Sequence, residues 1–278
     1  PSLDDSLYYA LDSEELSFLK TQTGIDDEAE LKAHVLDIQQ QAYEVYAYPC
    51  IRRFGFVRTK ISKNRGAYDH VLNLGRTRRR AILLDIGCCF GNDIRKAASD
   101  GFPVENIIAS DLRQVHSRFV ARCIFAGDTF DPEFLSLQSP CTEEPQLAAP
   151  ALRSMKSLNG LHGHLSAIHS ASLFHLFSEA KQLQLARLLA GLLSPLPGSI
   201  IFGCHGAQLT KGFLKESSKG GGRMFCHSPE SWREIWNGQV FEKGTVQVST
   251  SLRNVGNKIL SSSSTSDFYM LFWSVTKL

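Results

Sequence analysis

The chain has 278 residues, enough for one large domain or for a domain with an appended cap. Hydrophobic residues make up 43% and charged residues 21%, which supports a sizeable core and excludes global disorder. A net charge of +2 is too near neutral to argue for a nucleic acid or an anionic membrane as partner.

The seven cysteines form no C-x-x-C pair, which disfavours zinc and a disulfide framework and favours a reducing, cytoplasmic setting. No metal site is expected. His162 and His164 form an H-x-H, but no carboxylate or cysteine lies beside them in sequence. The acidic start Pro1-Ser2-Leu3-Asp4-Asp5 has no apolar h-region, so no signal peptide is expected. No stretch approaches the roughly 18 apolar residues that span a bilayer.

Residues 1–75 read as a helical cap or lid, and residues 76–278 as the main domain. Ser13 is placed as the N-cap of a first helix. Leu31, Val35, Ile38, Ala42 and Val45 recur at helical spacing across residues 26–46, and Pro49 stops that helix. The basic cluster Arg76, Arg78, Arg79 and Arg80 reads as a solvated loop.

Strand and helix patterns then alternate. Strands are expected at 81–86 and 106–110, within 120–127 and 165–170, and at 199–204. Helices are expected at 93–99, 178–193 and 229–236. Residues 240–250 and 267–275 alternate like two late antiparallel strands, and 131–160, 217–223 and 261–265 read as loops. The pattern predicts an α/β fold, a mostly parallel sheet with right-handed crossovers and an antiparallel strand pair at its C-terminal end.

The chemistry concentrates in Leu83-Leu84-Asp85-Ile86-Gly87-Cys88-Cys89-Phe90-Gly91-Asn92-Asp93. Gly87 follows the first strand, where a sharp turn favours a residue without a Cβ. Gly91 begins a helix, whose first N–H groups are free to meet a ligand. A dinucleotide site would carry G-x-G-x-x-G, but Cys89 stands at a middle position that is often glycine. Asp85, ahead of Gly87, would repel a pyrophosphate and suits a ligand with an ammonium and a sulfonium, namely S-adenosylmethionine (SAM). Asp111 ends the second strand and can accept from both ribose hydroxyls; its plain alternative is a helix N-cap. Asp128 can accept from the adenine amine or be an ordinary turn acid.

Further blocks occur in order: Tyr48-Pro49-Cys50-Ile51-Arg52, Ser110-Asp111-Leu112-Arg113, Ala171-Ser172-Leu173-Phe174-His175-Leu176-Phe177 and Pro197-Gly198-Ser199. With the Cys88-Cys89-Phe90-Gly91 variant they make the chain resemble the fungal class I SAM-dependent methyltransferases of meroterpenoid and polyketide biosynthesis. The best known members methylate the carboxyl group of a farnesylated orsellinic-acid-type intermediate. The resemblance runs from about Leu16 to the C-terminus and implies a Rossmann-like domain with SAM as cofactor.

Carried over residue by residue, it gives Asp85, Gly87, Cys88 and Gly91 to the methionine end, Asp111 to the ribose, Leu112 and Arg113 to the flanks of the adenosine, and Asp128 to the adenine. Ser170-Ala171-Ser172 would line the pocket near the methyl group, and Tyr48 and Arg52 would belong to the lid. One departure stands out: only residues 112–127 separate Asp111 from Asp128, shorter than the family pattern. A parallel crossover normally takes a dozen or more residues, so a single helical turn or an irregular link is expected there.

Methyl transfer is an in-line displacement in which alignment supplies roughly 7–11 kcal/mol. A carboxylate acceptor, with a pKa near 4, needs a cationic or hydrogen-bonding clamp and no base; a phenol, at about 10, gains from a base. Clamp candidates are Arg52, Arg113, His175, His205 and Arg223. His175 and His205 are best placed as catalytic groups, after the fourth and fifth strands, although a histidine in an apolar run is more often a core residue. Cys88, Cys89, Trp232 and Trp236 read as packing. The expected partner is a hydrophobic small molecule, with a homodimer left open. The competing readings are a methyltransferase-fold cyclase or isomerase that transfers no methyl group, a non-catalytic binding protein, and, disfavoured by Cys89, an NAD-dependent oxidoreductase.

Overall fold

A computed structural model describes residues 2–113, 124–214, 224–256 and 268–278. The chain divides into two compact units, Pro1–Thr59 and Lys60–Leu278.

The first unit is helical. Helix α1 (Ser13–Thr23) begins with a reciprocal capping box in which the Asp12 carboxylate accepts from the Glu15 N–H and Glu15 reaches back to the Asp12 N–H. The N-cap is therefore Asp12, one residue before the expected Ser13, because the box needs an acceptor three residues ahead of Glu15. Helix α2 (Glu28–Val45) buries Leu31 and Val35 as expected, but also Gln39, while Val45 is exposed. The Gln39 side-chain amide donates to the carbonyls of Ile51 and Arg52, both at 3.0 Å, tying α2 to the short helix α3 (Pro49–Arg52). Pro49 opens α3, where its missing N–H costs nothing.

The second unit begins with helix α4 (Arg65–Thr77) and holds a seven-stranded sheet. Its strands are β1 (Leu83–Ile86), β2 (Ile107–Asp111), β3 (Ile124–Ala126), β4 (Ala167–Ala171), β5 (Ile200–Ala207), β8 (Val246–Asn254) and β9 (Tyr269–Lys277). A separate two-residue pair joins β6 (Gly212–Phe213) to β7 (Phe225–Cys226). The order in the large sheet is β3-β2-β1-β4-β5-β9-β8. Strands β1 to β5 pair in parallel, and β9 runs antiparallel to both β5 and β8. The antiparallel C-terminal pair is therefore made by reversing one strand, with β8 pointing the same way as β5.

Both faces of the sheet are covered, and the period-2 alternation of strand side chains sorts residues between them. Leu84, Ile86, Ile168 and Ile201 pack with α6 (Glu179–Leu192) and α7 (Pro229–Trp236) on one face. Leu83, Ala109, Ala167, Ile200 and Phe202 pack with α4 and α5 (Asn92–Ser99) on the other. Trp232 and Trp236 lie fully in the first layer, as expected of core residues.

The basic cluster departs from a solvated loop at two residues, and the first, Arg76, stands exposed in the last turn of α4. Arg78 donates to the Ser199 hydroxyl (2.7 Å) and to the Pro197 carbonyl, fixing the start of β5. Strand β3 forms and pairs with Ala109–Asp111, so the chain does return parallel after Asp111. Residues 114–123, most of that short crossover, lie outside the described residues, as do 215–223 with Arg223, and 257–267. Among the described residues, no helix is long and apolar enough to cross a membrane.

Candidate active site

The turn after β1 is held by backbone geometry that side chains usually avoid. Gly87, Cys89 and Gly91 all have positive φ, at 74°, 50° and 74°. Glycine accepts that region freely, whereas Cys89 bears strain there. This is the position at which a dinucleotide motif carries glycine, so the turn keeps the glycine conformation without the glycine. The Ser110 carbonyl accepts from the N–H groups of Gly87 (2.8 Å) and Cys88 (3.1 Å). The Cys89 N–H donates to Asp111 Oδ2 at 2.9 Å, which offsets the strain and locks the turn to the end of β2. Burial raises the Asp111 carboxyl, opposed by this N–H and that of Arg113. Burial, then the negative Asp85 and Asp111, push the Cys88 thiol well up, so it stays neutral and packs in the α4/α5 layer.

Behind the turn lies a buried charge cluster. Asp85 and His169 are register partners on β1 and β4, and Asp85 Oδ1 lies 2.8 Å from His169 Nδ1. A carboxylate oxygen of Asp93, in the first turn of α5, completes a group whose three atoms all lie within 4.8 Å of one another. Asp93 Oδ1 also accepts from the Ile61 N–H at 2.8 Å. Burial alone would lower the His169 pKa, but the charge and hydrogen bond of Asp85, with Asp93 behind, outweigh it and leave it raised. Burial and Asp85 raise the Asp93 carboxyl, against the pull of His169. The imidazolium is thus the counter-ion that lets two carboxylates share one interior.

Four buried polar atoms ring this edge without a protein partner: Asp85 Oδ2, Asn92 Nδ2, Ser110 Oγ and Ser170 Oγ. Buried polar atoms are rarely left so. They stand at or next to the C-terminal ends of β1, β2 and β4 and at the start of α5, the edge where open α/β sheets bind ligands. An unpartnered carboxylate oxygen suits an ammonium, and an acid ending β2 suits a diol. The residues present fit SAM.

The expected histidines occupy different ground. His175 follows β4 in the turn Phe174–Leu176, and its Nδ1 accepts the Gly206 N–H at 3.0 Å. Burial holds its pKa down at about 4, helped by the nearby Lys60 charge. His205, on β5, accepts from Trp273 Nε1–H at 2.9 Å and meets the Trp232 ring edge-to-face, with centroids 4.4 Å apart, on the α6/α7 face. Burial pushes it well below the ordinary imidazole value. In both rings the lone-pair nitrogen is already used, so the neutral tautomer carries its proton on Nε2.

The remaining candidates scatter. Leu112 and Arg113 are exposed just past β2. Asp128 is exposed in the turn after β3, where it accepts from the Phe130 N–H at 2.9 Å. Tyr48 and Arg52 lie in the first unit: the Tyr48 ring packs 4.0 Å from that of Tyr46, and Arg52 Nε donates to the Ser2 carbonyl at 2.7 Å. Both ring nitrogens of His162 are engaged, by Ser136 Oγ and the Gly191 carbonyl. Sequence reasoning missed His169, Asp93 and Lys60. Only the β1–β4 register puts His169 beside Asp85, and no local pattern announces it.

Residues 5–57, nearly the whole first unit, match the meroterpenoid methyltransferase N-terminal domain. The chain is 28% identical over 231 residues to the O-methyltransferase phiE of a fungal species, covering 80% of this chain and 69% of that one. It is likewise 28% identical over 231 residues to the asnovolin E/chermesin D methyltransferase nvfJ of Aspergillus novofumigatus, covering 78% and 72%. Among solved structures, a Burkholderia thailandensis 1,6-didemethyltoxoflavin-N1-methyltransferase, determined with S-adenosylhomocysteine, covers 88% of this chain and 89% of that one, at 12% identity and a TM-score of 0.49.

Proposed function

From a chain that is a SAM-dependent methyltransferase and a relative of the fungal meroterpenoid methyltransferases, we infer that the acceptor is a carboxylate on a hydrophobic meroterpenoid or polyketide intermediate. Bound SAM supplies a methyl group on a sulfonium centre, open to in-line attack by an oxygen.

The chain's own residues do the rest. Asp85, Gly87, Cys88 and Gly91 would hold the amino-acid end, Asp111 the ribose, Leu112 and Asp128 the remainder of the nucleoside, and Ser170 would line the pocket near the methyl group. The observation that carries the choice of a carboxylate is the Gly206 N–H donated to His175 Nδ1. It consumes the basic nitrogen and leaves an Nε2–H, so His175 can donate a hydrogen bond to an acceptor oxygen but cannot collect a phenolic proton without breaking that bond. A carboxylate, with a pKa near 4, arrives already ionised. His205 would support this arrangement from the aromatic layer, and Tyr48, Arg52, Arg113 and Arg223 are the further substrate-side candidates.

The test is incubation of the purified chain with SAM and paired hydrophobic acceptors, one bearing a carboxyl and one a phenol. The reading expects a one-methyl mass gain and an equal yield of S-adenosylhomocysteine with the acid. Mass gain on the phenol alone overturns the choice of acceptor, and isomerisation without mass gain overturns the transfer.

A further inference from the structure

We propose that Lys60 and Ser172 form a carboxylate-binding site at the C-terminal end of β4. Lys60 opens the second unit, and its neighbour Ile61 is pinned to α5 by the N–H donated to Asp93. This brings Lys60 Nζ to 3.0 Å from Ser172 Oγ, the first residue past β4. That hydroxyl is neutral, and no carboxylate among the described residues lies at ion-pair distance from the ammonium. Among the described residues this half-buried ammonium is hydrogen-bonded only to a hydroxyl, and its charge reaches the Asp93 carboxylate without an ion pair, which leaves a cation open to an anionic ligand at the ligand-binding edge.

Ser172 adds a second, independent sign. It adopts φ +56°, which is strained for a serine, and is held there by its N–H donated to the Cys204 carbonyl at 2.7 Å. Backbone strain of this kind clusters where a ligand is gripped. His175, three residues on, offers an Nε2–H by the tautomer argument above. An ammonium, a hydroxyl and an imidazole N–H make a donor set for a carboxylate. The negative counterpart, Asp85 with its unpartnered Oδ2, stands one strand away.

Two ligands bring that chemistry: the amino-acid end of the cofactor and the ionised acceptor. The proposal rests on the reading of this edge as the ligand site, and the test separates the two.

Calorimetric titrations of the full chain would compare wild type, Lys60→Met and Lys60→Arg, each checked for an unchanged thermal melt. The probes are S-adenosylhomocysteine, 5′-methylthioadenosine, which lacks the amino-acid end, and dodecanoate added to the S-adenosylhomocysteine complex. If the cofactor's carboxylate is held, Lys60→Met weakens S-adenosylhomocysteine by about tenfold or more and leaves 5′-methylthioadenosine unchanged. If the acceptor's is held, both nucleosides bind as before and dodecanoate binding is lost. Lys60→Arg retains binding in either case. Equal weakening of both nucleosides, or no difference from wild type with any probe, overturns the proposal. Failure of the wild type to bind either nucleoside counts against the cofactor reading, and dodecanoate titrated into the free protein then decides Lys60: loss in Lys60→Met supports the site and equal binding overturns it.

Discussion

His169 and His205 sit on neighbouring strands, β4 and β5, and both are buried, yet their surroundings push them in opposite directions. His169 faces the α4/α5 side beside two carboxylates, and its pKa rises despite burial. His205 faces the α6/α7 side among Phe174, Trp232 and Trp273, and burial drives its pKa well down. One face stores charge beside the glycine turn; the other uses imidazole as a neutral aromatic that accepts a hydrogen bond from Trp273. Burial alone does not identify a functional histidine. What it is buried against does.

Breaking the charged side should have the largest effect. In His169→Asn, Asp85 and Asp93 face each other without a cation, and the loss should be about 3 kcal/mol or more. Because the folded pKa of His169 is raised, its contribution is complete below the ordinary imidazole value and fades as pH rises through the raised one. Urea unfolding should therefore show the gap between wild type and variant widest near about pH 5.5 and narrower near about pH 9. A gap that widens with pH would contradict the imidazolium.

The neutral side predicts a smaller effect, read in rates. With His175 titrating at about 4, its form does not change between about pH 5 and 7, nor does that of a carboxylate acceptor. The rate should show no ascending limb across that range, and NMR should place the His175 midpoint near 4. An ascending limb near the ordinary imidazole value would break the contrast between the two faces.

The smallest effect belongs to the strained turn. Cys89→Gly removes the positive-φ strain but loosens the unfolded chain, so stability should hold or rise by up to about 1 kcal/mol. Cys89→Val, β-branched at φ 50°, should lose about 1–2 kcal/mol in the same unfolding assay.

The glycine turn, the second acid and the alternation of strands were legible because each is a local signal. Asp85, Gly87 and Gly91 are adjacent in sequence, and Asp111 lies where a βαβ unit ends. The mostly parallel sheet with an antiparallel C-terminal pair followed from that alternation, whereas the order of the strands and which of the last two is reversed depend on pairing between distant segments. His169 and Lys60 were not legible, because neither has a partner near it in sequence. His169 meets Asp85 through strand register, and Lys60 reaches Ser172 across 112 positions. The engaged Nδ1 of His175 was also out of reach: sequence gives the residue, while the tautomer depends on a backbone N–H from β5.

The most direct test of the account is calorimetric titration of S-adenosylhomocysteine into the purified chain and into Asp111→Ala. Saturable binding by the wild type, weakened by about 10- to 100-fold in the variant, is the predicted result. No binding by the wild type, or equal binding by both, would contradict it.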